Sequence, residues 1–330
     1  KAFVTILRYQ LGDWRPYIYR TYNNGNSWDL ITEGIPADYP VRVLREDPKR
    51  EGLLFAGTEF GMFISFDDGN SWQSFQQNLP VTPITDIKIH RNDIVLSTMG
   101  RSFWIMDNIN FLRNFSFNDN DFLYPITNTI RYRNRPSNNN HVSYPRTSVD
   151  IDYKILKESV GEILIMIMDN ENNLINSYKS INKNQNIQNY EMSTNEFTFI
   201  SNSNISKKIG VNRFKWDMRH RGSWNKNSRF SYRNGPMAKP GIYKVILTID
   251  GSSFTENFEI ISDPRIKDVS PEVYEEQEKI LLEIRDFMTD VRLFEDKVSK
   301  MLEKKPKNKK YLSIDRELKT KEGTYMQPML

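Results

Sequence analysis

Short apolar segments, each of strand length and parted by Pro, Gly and Asp/Asn clusters, follow one another through the first third of the chain. Between residues 40 and 76 they read PVRVLRE, LLFAGTE, MFISFDD and SWQSFQ, which predicts four consecutive strands. The last turn of this series, SFDDGNSW (residues 65–72), has a counterpart in TYNNGNSW (residues 21–28), at a spacing of 44 residues. The register holds beyond the turn: Trp28 falls on Trp72, Ile35-Pro36 on Leu79-Pro80 and Val43 on Ile87. A self-similarity of about 40–45 residues is the length of one four-stranded propeller blade, and about three such units fit before residue 115.

From residue 151 the alternation continues without the repeat. GEILIMIMDNENNLINSYKS reads as a hairpin turning at residues 169–173. NRFKWDMR sets Phe214, Trp216 and Met218 on one face and Arg213, Lys215, Asp217 and Arg219 on the other. PGIYKVILTIDGSSFTENFEI turns at Asp250-Gly251, with Tyr243, Val245, Leu247 and Ile249 alternating inward. Strands at this spacing predict a small immunoglobulin-like sandwich over residues 151–264. Residues 116–150, rich in Asn and Arg, read as a linker with a short strand. After residue 265 the period changes to a helical segment with a basic tail. Ser270 is placed to cap the helix, Pro271 suits its first turn, and Glu272 suits its positive end. Ile280, Ile284, Phe287, Val291, Phe294, Val298 and Met301 alternate by four and three, a narrow heptad stripe. It predicts an intramolecular helical hairpin whose second helix the chain barely contains; the alternative is pairing with a partner's helix.

The two repeated turns carry conspicuous acids, and their comparison decides what those acids do. A short carboxylate in such a turn accepts hydrogen bonds from nearby backbone N–H groups. Gly69 and Gly25 supply the positive φ of a tight hairpin, while Trp72 and Trp28 open the outer strand and can pack on a neighbouring blade. Asn23 stands where the second turn has Asp67. Asn accepts the same bonds but cannot act as acid or base, so Asn23 and Asp67 are expected to be structural.

The pattern Ser-x-Asp-x-Gly-x-Ser-Trp is an Asp-box, and the chain resembles the Asp-box propeller proteins, among them sialidases, some endoglucanases and sortilin-type receptors. Residues 53–108, from LLFAGTEFG to MGRSFWIMDN, resemble the last blades of large exported bacterial sortilin-like proteins, which are often labelled glycosyl hydrolases. GVNRFKWDMR and PGIYKVIL are similar to motifs of a sandwich domain that follows the propeller in those proteins. The resemblance runs through most of residues 1–310 and implies export to the periplasm, cell surface or medium. The third repeat departs from it: no Gly-x-Ser-Trp follows Asp107, so that turn must be built otherwise. Propellers close with typically four to eight blades, and open edges invite aggregation. The chain is therefore expected to be the C-terminal part of a longer protein, as the resemblance favours, or to be completed by other chains.

Composition narrows the chemistry. The chain has 330 residues, no cysteine and three histidines, His90, His141 and His220, with no ligand spacing between them. Disulfides, thiolate metal sites and a cysteine nucleophile are excluded, and neither a metal nor a cofactor is expected. The acidic stretch at residues 169–173 lacks the Gly and terminal Glu of a calcium loop and reads as a turn. No Gly-x-Ser-x-Gly is present. The net charge of +4 is dispersed, and the run KKPKNKK (residues 304–310) reads as a solvated loop, so no nucleic-acid partner is expected. No apolar run is long enough to span a membrane.

Glycoside hydrolysis needs two carboxylates flanking the bond. On the blade face opposite the repeated turns the sequence offers Asp38, Glu59 and Asp86 with Arg42 and Arg101. Glu59 in GTEFG is the single catalytic candidate; Arg42, Glu59, Asp86 and Arg101 are the ligand-binding candidates. An Arg- and aromatic-rich stretch, holding Arg219, Arg221, Trp224, Arg229, Phe230, Tyr232 and Arg233, reads as an interdomain clamp on the propeller; the alternative is sugar stacking, phosphate or protein contact. The expected architecture is thus a mainly β chain: last blades of a propeller (1–115), linker (116–150), sandwich (151–264) and helical segment (265–330). Its expected role is non-catalytic binding of a protein, peptide or glycan. The alternatives are a glycoside hydrolase of the Asp-box class and a structural subunit of a surface or secretion assembly.

Overall fold

The apolar segments of residues 1–117 form three antiparallel meanders. The first is β1 (Ala2–Thr5), β2 (Ile18–Thr21) and β3 (Asp29–Leu30). The second, β4 (Val41–Glu46), β5 (Leu54–Thr58), β6 (Gly61–Ser65) and β7 (Gln73–Ser74), is the four-strand series expected between residues 40 and 76. The third, β8 (Ile84–His90), β9 (Asp93–Thr98) and β10 (Phe103–Met106), has three strands. In this computed structural model the described residues are 1–117, 120–132, 147–157, 161–180, 205–226 and 234–325, with side chains described to residue 318. The chain divides into two units, Lys1–Phe117 and Asn118–Leu330. It is mainly β, and among the described residues no helix is long and apolar enough to cross a membrane.

Every residue of β5 and β6 is buried, because the second meander is covered on both faces. Leu44, Leu54, Ala56, Phe63 and Trp72 share one core with Ile18 and Ile31, which belong to the first meander and the segment after it. On the other side β4 packs against β8. Gly57 allows that approach: a Cβ there would lie 2.7 Å from both Ile84 Cγ2 and Val43 Cγ1.

The third meander is finished by a helix instead of a fourth strand. After Asn108, whose φ is 50°, the chain enters the short α1 (Asn110–Arg113). Arg113 reaches back to the second meander, its Nε and Nη2 donating to the Asp47 carboxylate at 2.9–3.1 Å and its Nη1 to Asn92 Oδ1 at 2.7 Å. Arg50 Nη1 donates to the carbonyls of Leu112, Arg113 and Phe115 at 2.7, 3.1 and 3.0 Å, which answers the exposed C=O groups at the helix end. Two arginines, Arg50 and Arg113, thus fix the end of the third meander.

In the second unit, β11 (Phe122–Leu123), β13 (Val149–Ile155) and β16 (Gly210–Trp216) form one sheet. The other has the order β12 (Thr129–Arg131), β18 (Ser252–Ser262), β17 (Gly241–Ile249), β14 (Ile163–Asp169), β15 (Leu174–Lys179). The described part of residues 116–150, expected as a linker with a short strand, supplies β11, β12 and the start of β13, and buries Leu123, Tyr124 and Ile126. Their strands are only two or three residues long, too short for an alternation to show.

Alternate residues of both sheets meet in a single core. Val149, Ile151 and Tyr153 of β13 and Phe214 and Trp216 of β16 join Ile165, Tyr243, Val245, Leu247 and Phe258 there. Trp216 meets the stacked Tyr243 and Phe258 rings edge-on, and its Nε1 donates to Arg219 O at 3.1 Å. The outward residues pair by charge across the strands, Asp150 with Lys215 at 2.9 Å and Asp152 with Arg213 at 2.6 Å. Burial nevertheless raises the Asp152 carboxyl above its usual range, outweighing the Arg213 hydrogen bond. The β17–β18 hairpin turns at Asp250-Gly251, both with positive φ (46° and 87°), the geometry that two-residue hairpin loops favour.

After the sheets come α2 (Pro271–Lys304) and α3 (Lys309–Tyr325), and α3 packs against α2, as a helical hairpin requires. Ser270 is the residue before the helix, but its hydroxyl makes no capping hydrogen bond to the helix backbone; Pro271 at the first position has no N–H to satisfy. The described part of the Arg- and aromatic-rich stretch contacts α2 of its own unit. Arg292 Nη1 donates to Ser223 Oγ at 2.7 Å and Trp224 N to Thr289 Oγ1 at 3.1 Å. Arg229, Phe230, Tyr232 and Arg233, like His141, lie outside the described residues.

Candidate functional site

The two repeated turns are built alike, bond for bond. In the second, Ser65 Oγ donates to Asp67 Oδ1 (2.7 Å) and accepts from Gly69 N (2.8 Å), while Ser71 N donates to Asp67 Oδ1 (2.9 Å). In the first, Thr21, Asn23, Gly25 and Ser27 take the same places at 2.9–3.0 Å. One bond reverses: Ser71 Oγ donates to Asp67 Oδ2, whereas Asn23 Nδ2 donates to Ser27 Oγ. Gly69 and Gly25 both have φ of 88°. Burial acts to raise the Asp67 carboxyl, but the bonds from Ser71 and Ser65 outweigh it and hold the group below its usual range. Asp68 faces the first meander instead. It accepts from Lys1 Nζ (2.9 Å), from Arg20 and from Tyr22 OH, so it ties two sheets together.

The tryptophans show what each turn rests on. Trp72 is 5% exposed, its Nε1 donating to Ile31 O at 2.9 Å and its N to Glu33 O at 2.8 Å. Trp28 is 40% exposed and turns its Nε1 back to Gly25 O.

At the opposite ends of the strands the sequence candidates separate into four places. β4 and β5 are joined with a register shift between Val41 and Val43, which leaves Arg42 as the bulged residue. Its Nε lies 2.5 Å from Glu59 Oε1, and both side chains are mostly buried. The alignment is poor, and neither Arg42 Nε nor Glu59 Oε1 completes a well-formed hydrogen bond. The guanidinium also lies over the Tyr9 ring and reaches Tyr9 OH at 3.5 Å. Asp86 pairs with a different arginine, Arg45, at 2.7 Å on the exposed surface. Arg101 is exposed in the turn at residues 99–102, where its carbonyl accepts from Trp104 Nε1. Asp38 is exposed.

Glu59 has no acidic counterpart in the next meander. Its N donates to Pro40 O at 3.0 Å, and the structurally equivalent bond, to Pro83 O, comes from Met99. Among the described residues no group of three or more His, Asp or Glu could hold a metal ion.

What sequence reading missed is the connection at residues 6–17, between β1 and β2. It contains a 3-10 turn (Tyr9–Leu11) ended by Gly12 in the left-handed region, and it is fixed from within. Asp13 accepts both Arg15 Nε (2.9 Å) and Nη2 (3.0 Å), and Tyr17 OH (2.7 Å). The Arg15 bonds, and then Tyr17, hold its carboxyl far below the usual range. On this scaffold Trp14 stands 46% exposed beside Tyr9, with ring centroids 5.7 Å apart. The signal was an aromatic and two arginines around Asp13 in RYQLGDWRPY, which lies ahead of the first repeated turn and has no counterpart in the later meanders.

No family model matches the chain, and no curated protein matches it. Among solved structures it is similar to the extracellular domain of a hybrid two-component system from B. thetaiotaomicron, at 11% identity and a TM-score of 0.24. The similarity covers 76% of this chain and 29% of that one, so the chain spans less than a third of its length. A likeness at that TM-score carries no argument about fold or function.

Proposed function

We propose that the chain belongs to an exported, sortilin-like Asp-box propeller protein and takes part in non-catalytic binding of a peptide, protein or glycan. The three meanders, with their first strands β4 and β8 adjacent and Trp72 seated on the preceding sheet, support reading them as propeller blades. Two sheets around one core support an immunoglobulin-like domain after them. The observation that carries the functional reading is the environment of Arg42. Arg42 sits at a bulge and is paired with Glu59, and its guanidinium lies against the half-buried Tyr9 ring, which in turn adjoins the exposed Trp14. Arginine beside exposed aromatics suits recognition of a ligand through hydrogen bonds and stacking. Hydrolysis would need a second carboxylate poised against Glu59, and among the described residues none is paired with it or with Arg42.

The test is binding and turnover measured together. The full chain is presented to glycan and peptide arrays, and hits are titrated by calorimetry. Trp14→Ala and Arg42→Gln are expected to weaken a hit by about tenfold or more while the ligand is recovered chemically unchanged. Cleavage of the ligand, or affinities untouched by both substitutions, would overturn the reading.

A further inference from the structure

The long helix turns its polar side to its own unit and its apolar side to solvent. With 34 residues α2 is about 50 Å long. Its contacts to the sheets and loops of its unit run along one line: His220 and Lys239 N to Glu278 (2.8 and 2.9 Å), Trp224 N to Thr289, Arg292 to Ser223, and Lys226 to Asp296 (3.2 Å). At 3.6 residues per turn that line lies across the helix from Ile280, Ile284, Phe287, Val291 and Phe294. These five remain exposed, Phe287 by 69%. An amphipathic helix ordinarily buries its apolar stripe against its own core. α3 returns along the far end of α2, where Val298 is 3% exposed, while Met301 beyond it stays exposed.

Charge divides the hairpin in the same way as cover does. The uncovered part of α2 is acidic, with Glu275, Glu276, Glu283, Asp286 and Asp290. The far end and the turn into α3 are basic, with Lys297, Lys300, Lys304, Lys305, Lys307 and Lys310. We propose that the stripe is the interface of a homodimer in which two α2–α3 hairpins pair antiparallel. A two-fold axis across the stripe sets the acidic, uncovered part of each helix against the basic hairpin tip of the other, and one operation satisfies both copies. The product is a four-helix arrangement whose axis passes near residue 293, so its centre holds the Val291 and Phe294 side chains. Parallel pairing would place acid on acid and base on base. A foreign basic helix would answer the acidic part alone and leave Met301 and Leu312, both exposed at the tip, uncovered.

Sedimentation equilibrium of the full chain over a wide concentration range tests this. The expected species is a dimer of the 39.0 kDa chain whose dissociation constant rises with salt. Phe287→Glu, at a site too exposed to affect folding, should weaken it by at least about tenfold, with an unchanged far-ultraviolet spectrum. The charge pattern is tested separately. Glu283→Lys/Asp286→Lys/Asp290→Lys and Lys297→Glu/Lys300→Glu/Lys304→Glu should each dimerise poorly alone and recover when mixed. A monomer at every concentration, a dimer indifferent to Phe287→Glu, or charge variants that fail to rescue one another would each overturn the proposal.

Discussion

Asp67 and Asn23 occupy the same point of two superposable hydrogen-bond networks, which makes the first turn a natural test of the second. Asp67→Asn should therefore cost little, within about 1 kcal/mol, because Ser71 can accept from the new amide as Ser27 does from Asn23. Asp67→Ala leaves Ser71 N and Ser65 Oγ without their acceptor and should cost about 1–3 kcal/mol, read from urea unfolding of the full chain. The sign with pH follows from the direction of the shift. The folded Asp67 carboxyl lies below its ordinary value, so its stabilisation is complete above the unfolded pKa and lost as pH falls through the folded one. Asp67→Asn should accordingly flatten the acid limb of stability, and an unaltered acid limb would contradict the assignment. This much was legible in the sequence, since a repeat that exchanges Asp for Asn exposes a hydrogen-bonding role. The split between Asp67 and Asp68 was not. Asp68 meets Lys1, Arg20 and Tyr22, residues 46–67 positions away, and no local pattern encodes that.

Among elements, the strands were readable and the joins between them were not. Alternation located β14, β17 and β18, whose buried faces have period two, while β4 to β6 and β15 were found as short apolar runs bounded by turn residues. The bulge at Arg42, the helical ending at α1 and the two-residue strand β11 depend on distant partners, so their sequences look like loop. Gly34 illustrates how tightly one such join is held. At φ of 96°, a Cβ would lie 2.1 Å from Trp72 O, backbone that cannot move aside. Gly34→Ala should cost more than about 2 kcal/mol, whereas Gly100→Ala, also at positive φ but in open space, should cost about 1 kcal/mol. Equal losses in thermal unfolding would show that the contact does not matter. Arg113 is the corresponding anchor of α1. Its bond to Asp47 is almost fully buried, so Arg113→Met should lower stability by about 3 kcal/mol, again by urea unfolding.

Over the whole molecule, the candidate site and the long helix depend on where side chains were committed. The helix was legible as a stripe, but sequence alone placed that stripe inward; the structure holds α2 by its polar line instead, through Glu278 and its neighbours. Glu278→Ala should therefore raise hydrogen exchange along α2 while the core strands β13 and β17 keep their protection. At the strand ends, the same question of commitment separates binding from catalysis. Glu59 is read here as the partner of Arg42, not as an acid awaiting substrate. The most direct measurement is the unfolding free energy of Glu59→Gln. Removing one member of a mostly buried pair should destabilise the chain by about 2 kcal/mol or more. An unchanged or stabilised fold, the behaviour of a carboxylate kept for chemistry at the expense of stability, would contradict the account.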